Sequence, residues 1–227
     1  MKLSIFLLIF LSLSLVGCNG GKVDSGEIEY EISYPYNNLS KLMEMMLPKT
    51  MTIVFKDDKM ITTIKKGNLF TTKIISNENT RELEMRLKMG SDIFNTNLNE
   101  EDVVILLNSQ PKYNFSAPSQ GDSLLNYLCQ HYEVDCTTND SISVFSSVFT
   151  RDFTIQNATW FSSFNEIKGM PLEYVIDRYG LVMKVKATRF IKRDVKDSEF
   201  DPEFKYKEVP YVRYNKKMQD LFDIMVN

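Results

Sequence analysis

The chain has 227 residues, 27 Lys and Arg against 30 Asp and Glu, a formal charge of −3 and one histidine. This mild acidity argues against a nucleic-acid partner, and a lone histidine cannot supply a His-rich metal site. The sequence holds no Gly-rich phosphate loop, no Gly-x-Ser-x-Gly elbow and no Cys-x-x-Cys pair, so it is read as a non-enzyme without cofactor or metal.

The N-terminus carries Lys2, then an apolar run over 3–16 diluted by Ser4, Ser12 and Ser14. That run is too short, and too soon followed by small residues, to be a spanning helix; it reads as a signal peptide. Leu15-Val16-Gly17-Cys18 resembles the lipobox of bacterial type II signal peptides. The resemblance implies cleavage before Cys18 and acylation of its thiol, with palmitate among the chains. Residues 1–17 are then the signal peptide and Cys18 is the lipid-attachment site. Residues 18–26 are read as a lipidated, flexible, Gly-rich tether. Asn19, where Asp would favour retention at the inner membrane, points to the outer membrane of a cell envelope. Removal of 1–17 leaves 227 − 17 = 210 residues. One domain over 27–227 accounts for them.

Ile28, Tyr30, Ile32 and Tyr34 alternate with polar residues, as a strand with one apolar face does. Residues 39–47 read as a short helix closed by Pro48, its Met43, Met45 and Met46 being gap-filling core. Residues 51–64 fold back at Asp57-Asp58, a turn that also explains those two acids without a metal. A two-residue turn there pairs Phe55 with Met60, Ile53 with Thr62 and Met51 with Ile64. A loop at Gly67 is expected to pair Ile64 with Phe70, Thr62 with Thr72 and Met60 with Ile74. Leu83, Met85, Leu87 and Met89 alternate as a further strand.

Asn97 or Asn99 can cap a helix over 100–107, whose leading acids complement the helix dipole. Residues 110–122 read as an irregular connection with one strand at 113–115. Residues 127–134 and 141–150 form a hairpin around 137–140. Cys129 and Cys136 on one strand would lie about 23 Å apart, at about 3.3 Å per residue. A disulfide needs Cα atoms about 4.4–6.8 Å apart, so these two are expected to stay free. Cys129 and His131 share a face, but composition alone makes no cysteine enzyme. Trp160 is read as a lid or core anchor. Over 172–187, Leu172, Tyr174 and Ile176 face Met183, Val185 and Ala187, with Glu173 opposite Lys186 or Lys184. Tyr214, Met218, Leu221, Phe222 and Met225 recur at helical spacing over 211–226.

The resulting fold class is mainly β (α+β), with about eight to eleven strands, an antiparallel sheet and two or three helices. The stretches Thr159-Trp160-Phe161, Gly169-Met170-Pro171-Leu172-Glu173-Tyr174, Tyr179-Gly180-Leu181-Val182-Met183 and Phe200-Asp201-Pro202 resemble a group of Bacteroides-type lipoproteins. The Gly-Met-Pro-Leu-Glu element is distantly similar to the GLPGLI family. The resemblance implies a LolA/LolB-like half-barrel, a strongly curved antiparallel sheet with helices across its concave side, and it brings no catalytic residues. Residues 110–122 depart from the pattern.

Flexible, greasy side chains crowd the inward positions: Met51, Met60, Met85, Met89 and Met183 with Phe55, Phe70 and Tyr174. Methionine suits an irregular or exchangeable guest. Phe55, Met60, Phe70, Met85, Tyr174 and Met183 are therefore the expected lining of a hydrophobic-ligand site, or of a core filled by the chain's own helices. A cavity above about 300 Å³ would favour the first. The expected partners are the membrane, through the N-terminal lipid, and a lipid or other hydrophobic ligand or an envelope protein. Ser123 and Ser141 follow Asp and precede an apolar residue, which resembles the O-glycan acceptor pattern of Bacteroides-type secreted proteins.

Overall fold

The computed structural model describes residues 21–138 and 141–226. The signal peptide, Cys18 and Asn19 lie outside them. Thirteen strands and three α-helices occur among the described residues. The first half runs β1 (Ser25–Ser33), α1 (Lys41–Met46), β2 (Thr50–Lys56), β3 (Lys59–Lys66), β4 (Phe70–Asn77), β5 (Leu83–Met89), β6 (Asp92–Leu98) and α2 (Glu100–Asn108). The second runs β7 (Tyr113–Phe115), β8 (Ser119–Gln120), β9 (Cys129–Thr138), β10 (Ser141–Thr150), β11 (Met170–Arg178), β12 (Leu181–Ile191), β13 (Lys207–Glu208) and α3 (Tyr211–Val226).

All strands join one open sheet, in the order β13-β6-β5-β4-β3-β2-β1-β12-β11-β10-β9-β7, with β8 also on β9. The pairings are antiparallel except that of β13 with β6. β1 is the seam. On one side of it lies the meander β2 to β6; on the other the chain runs back from β12 to β9. The strand count exceeds the expected eight to eleven because β6, β8 and β13 escape the alternation test. β6 (DIFNTNL) is rich in Asn and Asp, while β8 and β13 have two residues each.

Turn chemistry sets the registers. Asp57 takes φ 54°, and the two-residue turn pairs Phe55 with Met60, Ile53 with Thr62 and Met51 with Ile64, as expected. Tyr179 and Gly180 both take positive φ, 57° and 74°. That is the conformation a two-residue primed turn demands, and Ile176 pairs with Met183 across it. Glu173 sits opposite Lys186 and bonds both Lys184 (2.8 Å) and Lys186 (3.2 Å). The β3–β4 register differs from the expected one by two residues. Lys66 pairs with Phe70, so Ile64 meets Thr72, Thr62 meets Ile74 and Met60 meets Ser76. A shift of two preserves the faces. Residues 67–69 form the loop, and only Lys66 against Phe70 closes it.

One sheet face carries the main core, from Ile28, Tyr30 and Ile32 through Met51, Ile53 and Phe55 to Tyr174, Met183 and Val185. α3 lies on this face through Tyr211, Tyr214, Met218, Leu221 and Phe222. The other helices do not fill it as expected. No residue of α1 is buried, and α2, capped by Asn99 accepting from Asp102 N, buries only Leu106. The opposite face is not uniformly wet. Ile61 and Ile75 point there and pack under Val195 and Phe200, in a strap running from the end of β12 to β13.

The folded domain begins earlier than residue 27. Val23 N donates to Asp152 O (2.8 Å), Thr154 N donates to Val23 O (2.9 Å), and Asp57 N donates to Asp24 O (2.7 Å). Residues 23–26 are thus bound into the fold rather than tether, because these backbone groups complete hydrogen bonds beside β1.

Candidate functional site

Between the apolar face and its cover lies a cleft of about 140 Å³. Its floor is formed by Ile53, Met60, Met85, Tyr174 and Met183, all buried. Its rim is formed by half-buried Thr62, Ile64, Thr72, Ile74 and Ile176. α3 contributes Tyr214 and Met218. The rest of the cover comes from the β10–β11 connection, through Ala158, Thr159, Phe161 and Ser162.

That connection has no regular secondary structure, so its backbone groups find other partners. The Glu78 carboxylate, at the β4–β5 turn, accepts from Gln156 N and Asn157 N. Gly169 N donates to Gln156 O (2.8 Å). Gly169 takes φ 113°, and a Cβ there would stand 2.4 Å from Thr150 O, so glycine is required where the connection rejoins the sheet. Trp160 is buried, edge-on to Phe161 at 5.4 Å between centroids, with the Arg81 guanidinium 4.9 Å from its ring. It anchors the connection; its neighbours, not the indole, touch the cleft.

The polar groups of the cover that line the cleft bond within it, whereas the buried Asn157 Oδ1 and Trp160 Nε1 have no hydrogen-bond partner among the described residues. Thr159 Oγ1 donates to Phe164 O (3.1 Å), Ser162 Oγ to Thr159 O (3.0 Å), and Gln110 Nε2 to Phe161 O (3.0 Å). Burial pushes the Tyr174 phenol well above its ordinary range. It does the same to Tyr214. The Tyr179 phenol is pushed up to about 12 by burial, which outweighs the lowering effect of Arg178 beside it. These hydroxyls stay neutral at ordinary pH and act as hydrogen-bonding groups, not as bases. Arg178 is the charged side chain on the cleft wall among the described residues.

Of the six expected lining residues, Met60, Met85, Tyr174 and Met183 meet at the cleft. Phe55 and Phe70 do not. Phe55 packs edge-on against Phe153, 5.2 Å between centroids, near the Asp57 turn. Phe70 packs against Phe222 of α3 at 6.4 Å. Both are consumed by aromatic partners that the strand pattern does not disclose. Met51 is buried beside Tyr174, whose hydroxyl lies 4.0 Å from its sulfur. Arg178 was missed, although strand alternation from Tyr174 through Ile176 reaches it directly.

The other candidate residues stand apart from the cleft. Cys129 and Cys136 are free and buried on β9. Cys129 Sγ donates to Tyr127 O (3.2 Å), and burial raises its thiol above the ordinary value. Burial likewise raises Cys136. Neither has the depressed pKa of a nucleophile. His131 packs so tightly under Gly121 that a Cβ there would lie 2.0 Å from its ring. Ser123 is exposed between β8 and β9, whereas Ser141 begins β10, its backbone paired with Thr138, and is not in a loop. Among the described residues no cluster of His, Cys, Asp or Glu could hold a metal ion, and no helix is long and apolar enough to cross a membrane. The chain matches no protein-family model and no curated protein.

Proposed function

We propose that this chain is a lipid-anchored envelope protein, tethered at Cys18 to the outer membrane, that binds a hydrophobic ligand without catalysing a reaction. In this reading the sheet curves as a LolA/LolB-like half-barrel and the cleft is its concave side. The observation that carries the reading is the methionine-floored cleft: Met60, Met85 and Met183 converge with Tyr174 on an apolar space with a half-buried rim.

The volume limits the guest. Ligand pockets usually span about 300–1,000 Å³, and 140 Å³ is well short of that. A dry cavity of about 150 Å³ holds benzene, so the cleft as it stands takes about six carbons: a short chain, or the tip of a longer one. Each buried methylene contributes about 0.8 kcal/mol, close to fourfold in affinity. Affinity should climb by that factor per carbon and level off at about six to eight carbons, where the chain outgrows the cleft.

The same small volume favours the second reading, a structural or interaction lipoprotein whose core is filled by its own side chains. Titration of the soluble chain 19–227 with a fluorescent fatty acid separates the two. Saturable binding that is lost in Met183→Asp, and in the rim variant Ile64→Glu, supports a ligand site, provided circular dichroism shows that each variant folds. Absence of saturable binding by the folded wild type to a broad lipid panel leaves the structural reading.

A further inference from the structure

Arg178 interrupts an otherwise apolar row. Leu172, Tyr174, Ile176 and Arg178 fall on one face of β11 by strand alternation. Asp177, its chain neighbour, is carried to the other face. The guanidinium has no ion-pair partner among the described residues; its contacts are neutral and weak. Nη2 reaches Tyr211 Oη at 3.5 Å and Asn215 Oδ1 at 3.4 Å, both at the long limit of a hydrogen bond. Asn215 Oδ1 already accepts from Tyr179 Oη at 3.0 Å. The plane of the guanidinium is held by the Tyr179 ring, 4.7 Å from its centroid. Nε and Nη1 donate to nothing among the described residues.

A half-buried cation with only neutral neighbours is held at a cost that an anion would offset. A guanidinium has five N–H donors in a planar fork, matched in geometry to a carboxylate. Here the fork stands where the apolar wall of Ile176 and Met183 ends, and the polar groups of the cover that line the cleft, Thr159, Ser162 and Gln110, already bond within the cover. We propose that the guest is a single-chain amphiphile with a carboxylate head. The head rests on Arg178, and about six to eight carbons run past Ile176 and Met183 towards Met60 and Met85. The proposal rests on the cleft being a hydrophobic-ligand site and adds the chemistry of the head.

Three ligands of one chain length test it: octanoate, octanol and octyltrimethylammonium, each displacing a fluorescent fatty acid from the soluble chain 19–227. Octanoate should bind at least about tenfold more tightly than octanol, as charge-assisted hydrogen bonds are the stronger kind, and the ammonium should bind most weakly. Arg178→Gln should reduce octanoate to the level at which octanol binds the same variant, so that the acid-to-alcohol ratio falls to about one. Arg178→Lys, which keeps the charge but not the fork, should fall between. Equal binding of octanoate and octanol to the wild type overturns the proposal while the hydrophobic site stands. So does an acid-to-alcohol ratio that survives Arg178→Gln. If none of the three binds the folded wild type, the ligand-site reading itself fails. The wild-type ratio decides the matter even where a variant does not fold.

Discussion

Replacing Arg86 by Met tests how the outer strap is held. The Arg86 side chain is 4% exposed and that of its partner Glu84 21%. Nε and Nη2 form a two-pronged bond to the Glu84 carboxylate, at 2.9 and 2.7 Å. The same guanidinium donates to Phe200 O (3.0 Å) and Asp201 O (3.1 Å), and so ties the strap to β5. Methionine fills much of the space but leaves Glu84 with Asn95 Nδ2 at 3.2 Å as its remaining side-chain donor. Breaking a buried pair by removing one partner costs about 3–5 kcal/mol. Glu84 keeps some contact with water, so the lower end applies, about 3 kcal/mol. Unfolding entropy near 2.1 cal/mol/K per residue gives roughly 0.4 kcal/mol/K for a domain of about 200 residues, hence a fall in Tm of about 7 °C. Calorimetric melts of the soluble chain read this directly. The double variant Arg86→Met with Glu84→Leu should recover most of the loss, because no unpaired charge remains. A fall below about 2 °C in the single variant, or a double variant no more stable than the single, would refute the buried-charge argument.

Three further outcomes are expected. Cys18→Ala should leave unprocessed precursor and abolish labelling by an alkynyl fatty acid; continued labelling would show that the lipid is elsewhere. Leu42→Gln and Met45→Gln on α1 should change stability by less than about 0.5 kcal/mol in denaturant titrations, since α1 buries none of its residues; a loss above about 1 kcal/mol would place the helix in the core after all. Burial alone would raise the Glu173 pKa, but hydrogen bonds from Lys184 and Lys186 outweigh it and hold the carboxyl below its ordinary 4.5. A depressed folded pKa contributes stability above the unfolded value that is lost as pH falls through the folded one. Glu173→Gln should therefore melt below the wild type at pH 7, and the gap should close as pH drops from 4.5; a gap that persists at low pH would assign the loss to packing.

What was legible in the sequence is what short-range geometry controls. Asp57-Asp58 fixes a two-residue turn, and with it the register of β2 with β3; at the β11–β12 hairpin a loop of two or of four residues gives the same faces, and the positive φ of Tyr179 and Gly180 selects the two-residue one. Period-two alternation then assigns faces that survive even the two-residue error at β3–β4, because parity is conserved. Departures from alternation carried information too. Ile61 and Ile75 are apolar on the supposedly wet face, and the strap through Val195 and Phe200 covers them. The cleft itself was only half legible. Its floor follows from strand parity, but its depth is decided by how far α3 and the β10–β11 connection approach the sheet. That approach depends on non-local ties such as Glu78 to Gln156 and Asn157, and Gln110 to Phe161. Methionine content suggested room for a guest; it could not give 140 Å³. Arg178 lies between these cases. Its face was readable from the strand, but that no carboxylate among the described residues pairs with it is a property of every element packed around it. A charged residue continuing an apolar row is thus a cue that the sequence offers, and only the assembled cover shows whether its charge is met.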